Sequence, residues 1–198
     1  HLIHHIDSET TLSARERKEY KSVLILGFFG GLRASEVLNL TLGDLVISKA
    51  TAPGTVGELY SHVLRTKTPS GRRTIPLHRL LPEQARRTVH AWCNERQATA
   101  IATGASHHGR FVPLFGPLEE NRRPGWDEAI KRPMQYMRTV LQTNIDFHGL
   151  RHSAASWLLL RAYLLIEPEL VSGLAHGKHP LLDPAQNGAL DELIYAFE

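Results

Sequence analysis

The chain of 198 residues is 42% apolar, enough for one domain with a core of its own. Its 23 Lys and Arg against 20 Asp and Glu leave a formal charge of +3 and a pI near 9.2, which admits a nucleic-acid partner provided the charge gathers on one face. A lone cysteine, Cys93, excludes an internal disulfide; with neither a signal peptide nor an apolar run of about 18 residues, a reducing cytoplasm is expected and no membrane partner.

The chain starts at His1 without a methionine, which predicts the C-terminal part of a longer protein, with 1–198 reading as a single domain. Ser13 and Glu16 have the form of a capping box, and Tyr20, Val23, Leu24 and Phe28 supply a strongly apolar helix that Gly30 and Gly31 end. Arg33 then opens the next helical stretch, where Val37, Leu38 and Leu40 face the core. Residues 42–47 and 58–64 are rich in β-formers and predict strands, and 73–77 is a third, closed by Pro76. Residues 67–71 read as the turn between the last two. Helices are predicted over 82–99 and 127–141, separated by a Gly, His and Pro-rich loop that includes His107 and His108. The helix after Phe147 carries HGLRHSAASWLLL, on which His148 and Arg151 share a face while Leu150, Trp157 and Leu158 pack inward. No internal repeat, low-complexity tract or linker interrupts the chain.

Three runs carry chemistry: GGLRASEV with Arg33, RTKTPSGRR with Lys67, and HGLRH with His148 and Arg151. Breaking a phosphodiester without a metal needs fixed positive charge against the two non-bridging oxygens, where negative charge grows in the transition state. Arg33 and Arg151 stay protonated and offer fork-shaped donors that match phosphate, whereas Lys67 is a mobile cation able to give a proton to a departing 5′-oxygen. Arg65, Arg72 and Arg73 beside it are expected to contact DNA. His152 is read as an ordinary core histidine. Twelve histidines, among them HLIHH, His107 with His108 and His176 with His179, raise the question of zinc, but there is no HExxH and no Cys-His spacing, so no metal is expected. GFFGGLR lacks the GxxxxGK[ST] form of a phosphate loop, and its glycines read as a helix stop.

Taken together, GLRASE with Glu36 in place, RTKT followed by RRTIPL, HGLRH, and SGLAHGK with His176 resemble the tyrosine recombinases of the phage-integrase family, over residues 12–198. The resemblance implies a mainly α catalytic domain with a small three-stranded antiparallel sheet, and strand cleavage through a 3′-phosphotyrosine with no metal or other cofactor. It implies that Glu36 orients nearby active-site groups, that Asp44 occupies an acidic position before the first strand, and that His148 assists proton transfer while His176 donates a hydrogen bond to phosphate. The family's nucleophile follows the later histidine. Of Tyr20, Tyr60, Tyr136, Tyr163 and Tyr195, only Tyr195 does so here. Double-stranded DNA is the implied partner, with a homo-tetramer on two DNA sites as the working unit. An N-terminal DNA-binding domain is expected to be missing, which would leave an isolated fragment monomeric. A prokaryotic, DNA-associated cytoplasmic location follows from the same resemblance.

Two positions depart from the pattern. The family has a glycine before the histidine and a tyrosine at the ninth position after it, where this chain has Ala175 and Ala185, and Tyr195 lies 19 residues beyond His176. These departures keep two further readings open: a catalytically degenerate DNA-binding module of the same fold, and a relaxing enzyme of the type IB topoisomerase kind.

Overall fold

The Ser13 hydroxyl accepts from the Glu16 N–H at 3.1 Å, and the Ser13 N–H donates to Glu16 Oε2 at 2.9 Å. This reciprocal cap starts α2, Ala14–Phe28, whose burial runs continuously from Ser22 to Gly27 rather than along one stripe. A helix covered on every side is a core helix, and here it lies in the core of the unit that contains it. The computed structural model describes residues 2–48, 57–64, 69–104, 111–116, 118 and 127–166. The chain divides into two compact units, His1–His152 and Ser153–Glu198. Of the second, the described part is the continuation of α7 to Ile166, where Leu158 is exposed and not packed inward as its place in the apolar run predicts.

In the first unit a short α1, Leu2–Ser8, precedes α2, and α3, Ala34–Asn39, follows it. Gly31, at φ 61°, takes the left-handed backbone that turns the chain out of α2. The strands are β1, Leu45–Ile47, β2, Leu59–Val63, and β3, Arg73–Ile75, antiparallel in the order β1-β2-β3. Leu45, Ser61 and Ile75 form one row across the sheet and all are buried, while Val46, Tyr60, His62 and Thr74 lie on the other face. α4, Leu77–Leu80, and α5, Glu83–Ala102, follow, and α5 packs along α2. The last helices are α6, Arg132–Leu141, and α7, Phe147–Ile166.

Mainly helical architecture with a small antiparallel sheet therefore holds as expected, and the departures have local causes. The first strand begins at Leu45, because the Asp44 carboxylate accepts the Thr41 N–H and hydroxyl, each at 2.8 Å, and folds Leu42–Asp44 into a 3₁₀ turn. The third strand stops at Ile75, and Leu77 begins α4 instead of extending the sheet. The helix expected from Asp127 opens with a π-helical turn, Asp127–Lys131. Pro133 has no N–H for the carbonyl of Ala129, so a regular α-helical ladder cannot run through that turn.

α7 is fixed to α2 by a close approach. A methyl group on Gly27 would lie 2.7 Å from the Phe147 ring and 3.2 Å from Leu150, so glycine lets the first turn of α7 reach the core axis. Asp146 caps that turn by accepting the Gly149 N–H at 2.7 Å. On α5, the Arg96 side chain is buried, and its Nε donates to the Pro113 carbonyl at 2.9 Å. Burial pulls its pKa down to about 10, with the charge of Glu19 opposing the shift.

Candidate active site

Arg33 is the residue before the first turn of α3, held in extended backbone at φ −71° and ψ 154°. Its N–H donates to Glu36 Oε2 at 2.8 Å, and its side-chain Nη1 donates to Glu36 Oε1 at 3.1 Å. Glu36 is only 3% exposed, a buried carboxylate beside Val37 in the short α3. Such a group needs cations, and three arginines from three elements provide them.

Arg73, on β3, approaches as a fork: Nη1 to Oε1 and Nη2 to Oε2, both at 2.9 Å. Arg151, on the second turn of α7, places Nη1 3.8 Å from Glu36 Oε2 and donates from the same nitrogen to the Gly31 carbonyl at 3.1 Å. One carboxylate against three guanidiniums leaves two positive charges in the cluster. Burial pushes the Glu36 carboxyl up, but the hydrogen bonds from Arg73 and Arg33, with the charge of Arg73, outweigh it and hold the group below its ordinary value of 4.5. Arg151 is shifted down, first by burial and then by the charge of Arg33, with Glu36 opposing. An arginine so shifted is still protonated at neutral pH.

The cluster is not sealed. Half of the Arg33 side chain, 51%, and about a third of Arg151, 32%, are exposed, and among the described residues a single guanidinium nitrogen of each is hydrogen-bonded. His148, one turn before Arg151, is exposed, and its ring meets the edge of His152 at 4.5 Å between centroids. His152 is thus itself exposed, not the core histidine expected. A cleft of about 400 Å³ opens beside Arg33, between the start of α3, one face of α6 and the first turn of α7. Lys131, Arg138 and His148 line it with Arg33, over a floor that includes Met134 and Phe147.

Of the residues singled out from sequence, Arg33, Glu36, His148 and Arg151 are brought to one place, although 118 positions separate the two arginines. Arg72 is exposed. Arg73 has a different position from that of a DNA contact: both of its terminal nitrogens are on Glu36, and Nη1 also donates to the Gly71 carbonyl at 3.1 Å. Arg65, Lys67, His107, His108, His176, His179 and Tyr195 lie outside the described residues, as does the side chain of Tyr163. Tyr136 is on α6 but bonded to His5 Nδ1 at 2.9 Å, away from the residues that line the cleft. Asp44 is spent on the Thr41 cap.

Sequence reasoning missed Lys131 and Arg138, and it missed the role of Arg73. Strand parity carried a signal for the latter: Arg73 has the parity of buried Ile75, so it points to the covered face, where an arginine requires an acid. Among the described residues no group of three or more His, Cys, Asp or Glu is placed to hold a metal ion, and no helix is long and apolar enough to cross a membrane. Chemically, the arrangement suits an anion: partly exposed guanidiniums with an imidazole beside them and a buried acid behind. Comparison with family models, with curated proteins and with solved structures gives no match.

Proposed function

We propose that this chain is the catalytic domain of a tyrosine recombinase of the phage-integrase family, which cleaves and rejoins DNA strands through a 3′-phosphotyrosine. The observation that carries the reading is the convergence of Arg33 and Arg151 on buried Glu36, with His148 lining the cleft beside Arg33, in a mainly helical body with a three-stranded antiparallel sheet. Two arginines fixed by one carboxylate suit the two non-bridging oxygens of a phosphodiester, and the adjoining cleft, lined among the described residues by Arg33, Lys131 and Arg138 against the single acid Asp146, suits a strand of DNA backbone.

In this reaction the phenol oxygen of Tyr195 forms a bond to phosphorus as the bond from phosphorus to the 5′-oxygen breaks. The phenol proton passes to His148, and Lys67 gives a proton to the departing 5′-oxygen. Arg33 and Arg151 neutralise the oxygens that gain charge, with His176 as a further donor. Ligation is the reverse, with a 5′-hydroxyl from the exchanged strand as the attacking group. The covalent link keeps the bond energy, so no nucleotide cofactor enters. Double-stranded DNA is the partner, and a homo-tetramer on two sites is the unit in which exchange occurs.

The displaced tyrosine and Ala175 favour a second reading, a DNA-binding module of the same fold without the chemistry. The test is covalent attachment. The protein is expressed in bacterial cells, the cells are lysed in denaturant, and protein-linked DNA is quantified for wild type and Tyr195→Phe. Adduct in the first and none in the second is the expected result. Adduct from both moves the nucleophile to another residue, and adduct from neither, with DNA occupancy demonstrated, favours the binding module.

A further inference from the structure

Arg73 lies on β3, and the chain between β2 and β3 contains Lys67. The fork of Arg73 is used on Glu36, with both nitrogen-to-oxygen distances at 2.9 Å, while its side chain is one third exposed. A parallel fork fixes the plane of a carboxylate, because rotation about its last bond would break both contacts together. That plane decides where Oε1 meets Arg33 Nη1 and where Oε2 meets the Arg33 N–H and stands near Arg151. We propose that Arg73 is a positioning residue for the proposed reaction: by locking Glu36 it fixes the spacing of the two phosphate-binding arginines, and it ties the strand pair flanking Lys67 to them. The inference rests on the recombinase reading and replaces a DNA-contact role for Arg73 with one exerted through Glu36.

Removing the fork has two consequences. The carboxylate regains rotation, and burial, no longer offset by Arg73, raises its affinity for a proton. The charged groups that face Glu36 are Arg33 from the start of α3, Arg73 from β3 and Arg151 from α7. With Arg73 gone, protonation of Glu36 begins at a higher pH than in the wild type, and a neutral carboxyl no longer holds Arg33 and Arg151 together. A residue of purely structural importance would instead slow the reaction equally at every pH.

The experiment uses purified protein and a duplex whose sequence is recovered from the adducts formed in cells, and it follows single-turnover adduct formation from about pH 6 to about pH 8. The quantity read is the ratio of variant to wild-type rate, which cancels the titration of other groups. Arg73→Met is expected to be about tenfold slower near pH 8, with a ratio that declines toward acid. Placed in a Glu36→Gln background, the same substitution should slow the reaction far less, because the carboxylate it acts through is already gone. Binding to non-specific duplex should keep the wild-type salt slope, whereas loss of a phosphate contact would reduce it by about 0.9.

Arg73→Lys, a milder change, should keep a pH-independent ratio because a cation still faces Glu36, yet lose about tenfold in rate because a point charge cannot fork. If Arg73→Lys matches wild type, or if Arg73→Met slows the Glu36→Gln protein as much as it slows wild type, the proposal fails and the recombinase reading stands. If wild type forms no adduct, that reading falls and takes the proposal with it.

Discussion

Replacing Glu36 with Gln changes little in volume and much in charge. Glu36 accepts four hydrogen bonds, three from guanidinium nitrogens and one from the Arg33 N–H. Glutamine keeps one acceptor oxygen and turns the other into an NH₂ that faces donors, so two of these bonds are lost whichever way the amide lies. A hydrogen bond to a charged group contributes about 1.5–3 kcal/mol, but the arginine partners are one third to one half exposed, which places each loss at or below the low end. The expected cost is about 2–3 kcal/mol, read as a fall in melting temperature of about 4–12 °C for a chain of this size. Because the folded carboxyl titrates below its ordinary 4.5, its contribution is complete above that value and is lost as pH falls through the lower, folded value. Unfolding in urea, followed by circular dichroism at pH 7 and at about pH 3, measures both parts. Wild type should exceed Glu36→Gln by the full amount at pH 7 and by clearly less in acid. A difference below about 0.5 kcal/mol at pH 7, or one that does not shrink in acid, refutes the account of Glu36 as an ionised hub.

Lys131, at the end of the π-helical turn, and Arg138, on α6, both line the cleft, and on the proposed reading each meets a DNA phosphate. The double change to Ala should therefore reduce the slope of log K against log salt on non-specific duplex by about 1.8, and an unchanged slope removes the cleft from the DNA path. Cys93 is buried, and that burial pushes its thiol up to about 12, so a thiol-specific reagent near pH 8 should leave the folded protein unlabelled and react fully once the protein is denatured. Rapid labelling of the folded protein would contradict the packing described for α5.

The parts of the fold legible in the sequence were those with a local physical cause. Ser13 with Glu16 announces α2 because both halves of the cap lie within one turn, and β2 shows its alternation over five residues. α4 left no trace, since four residues after Pro76 are too few to display a helical period. The 3₁₀ turn at Leu42–Asp44 was hidden in a stretch of β-formers, and only the reach of Asp44 back to Thr41 decides against a strand. The same division runs through the site. Arg33 with Glu36 and His148 with Arg151 are pairs three apart on helices and can be read as spacings. The partner of Glu36 from the sheet is 37 positions away, and Arg72 and Arg73 are neighbours of the same type. Arg72, just before β3, is exposed, whereas the parity that sends Arg73 to the acid becomes visible only when β3 is paired with β2.

The charge count at Glu36 bears on what such a site prefers to bind. Three arginines drawn from α3, β3 and α7 would repel one another if nothing lay between them, and the buried carboxylate is what lets them sit together with no ligand present. What remains is a net charge of two. On the proposed reading a phosphodiester in its resting form brings one negative charge, and the five-coordinate arrangement reached after attack by a phenolate carries two. The cluster is therefore under-neutralised by the substrate and matched by the transition state, the difference that accelerates a reaction rather than merely tightening binding. Glu36 sets that match. A second acid behind the arginines would leave one positive charge, too little field for the transition state, and none would leave three arginines without the anchor that holds their spacing.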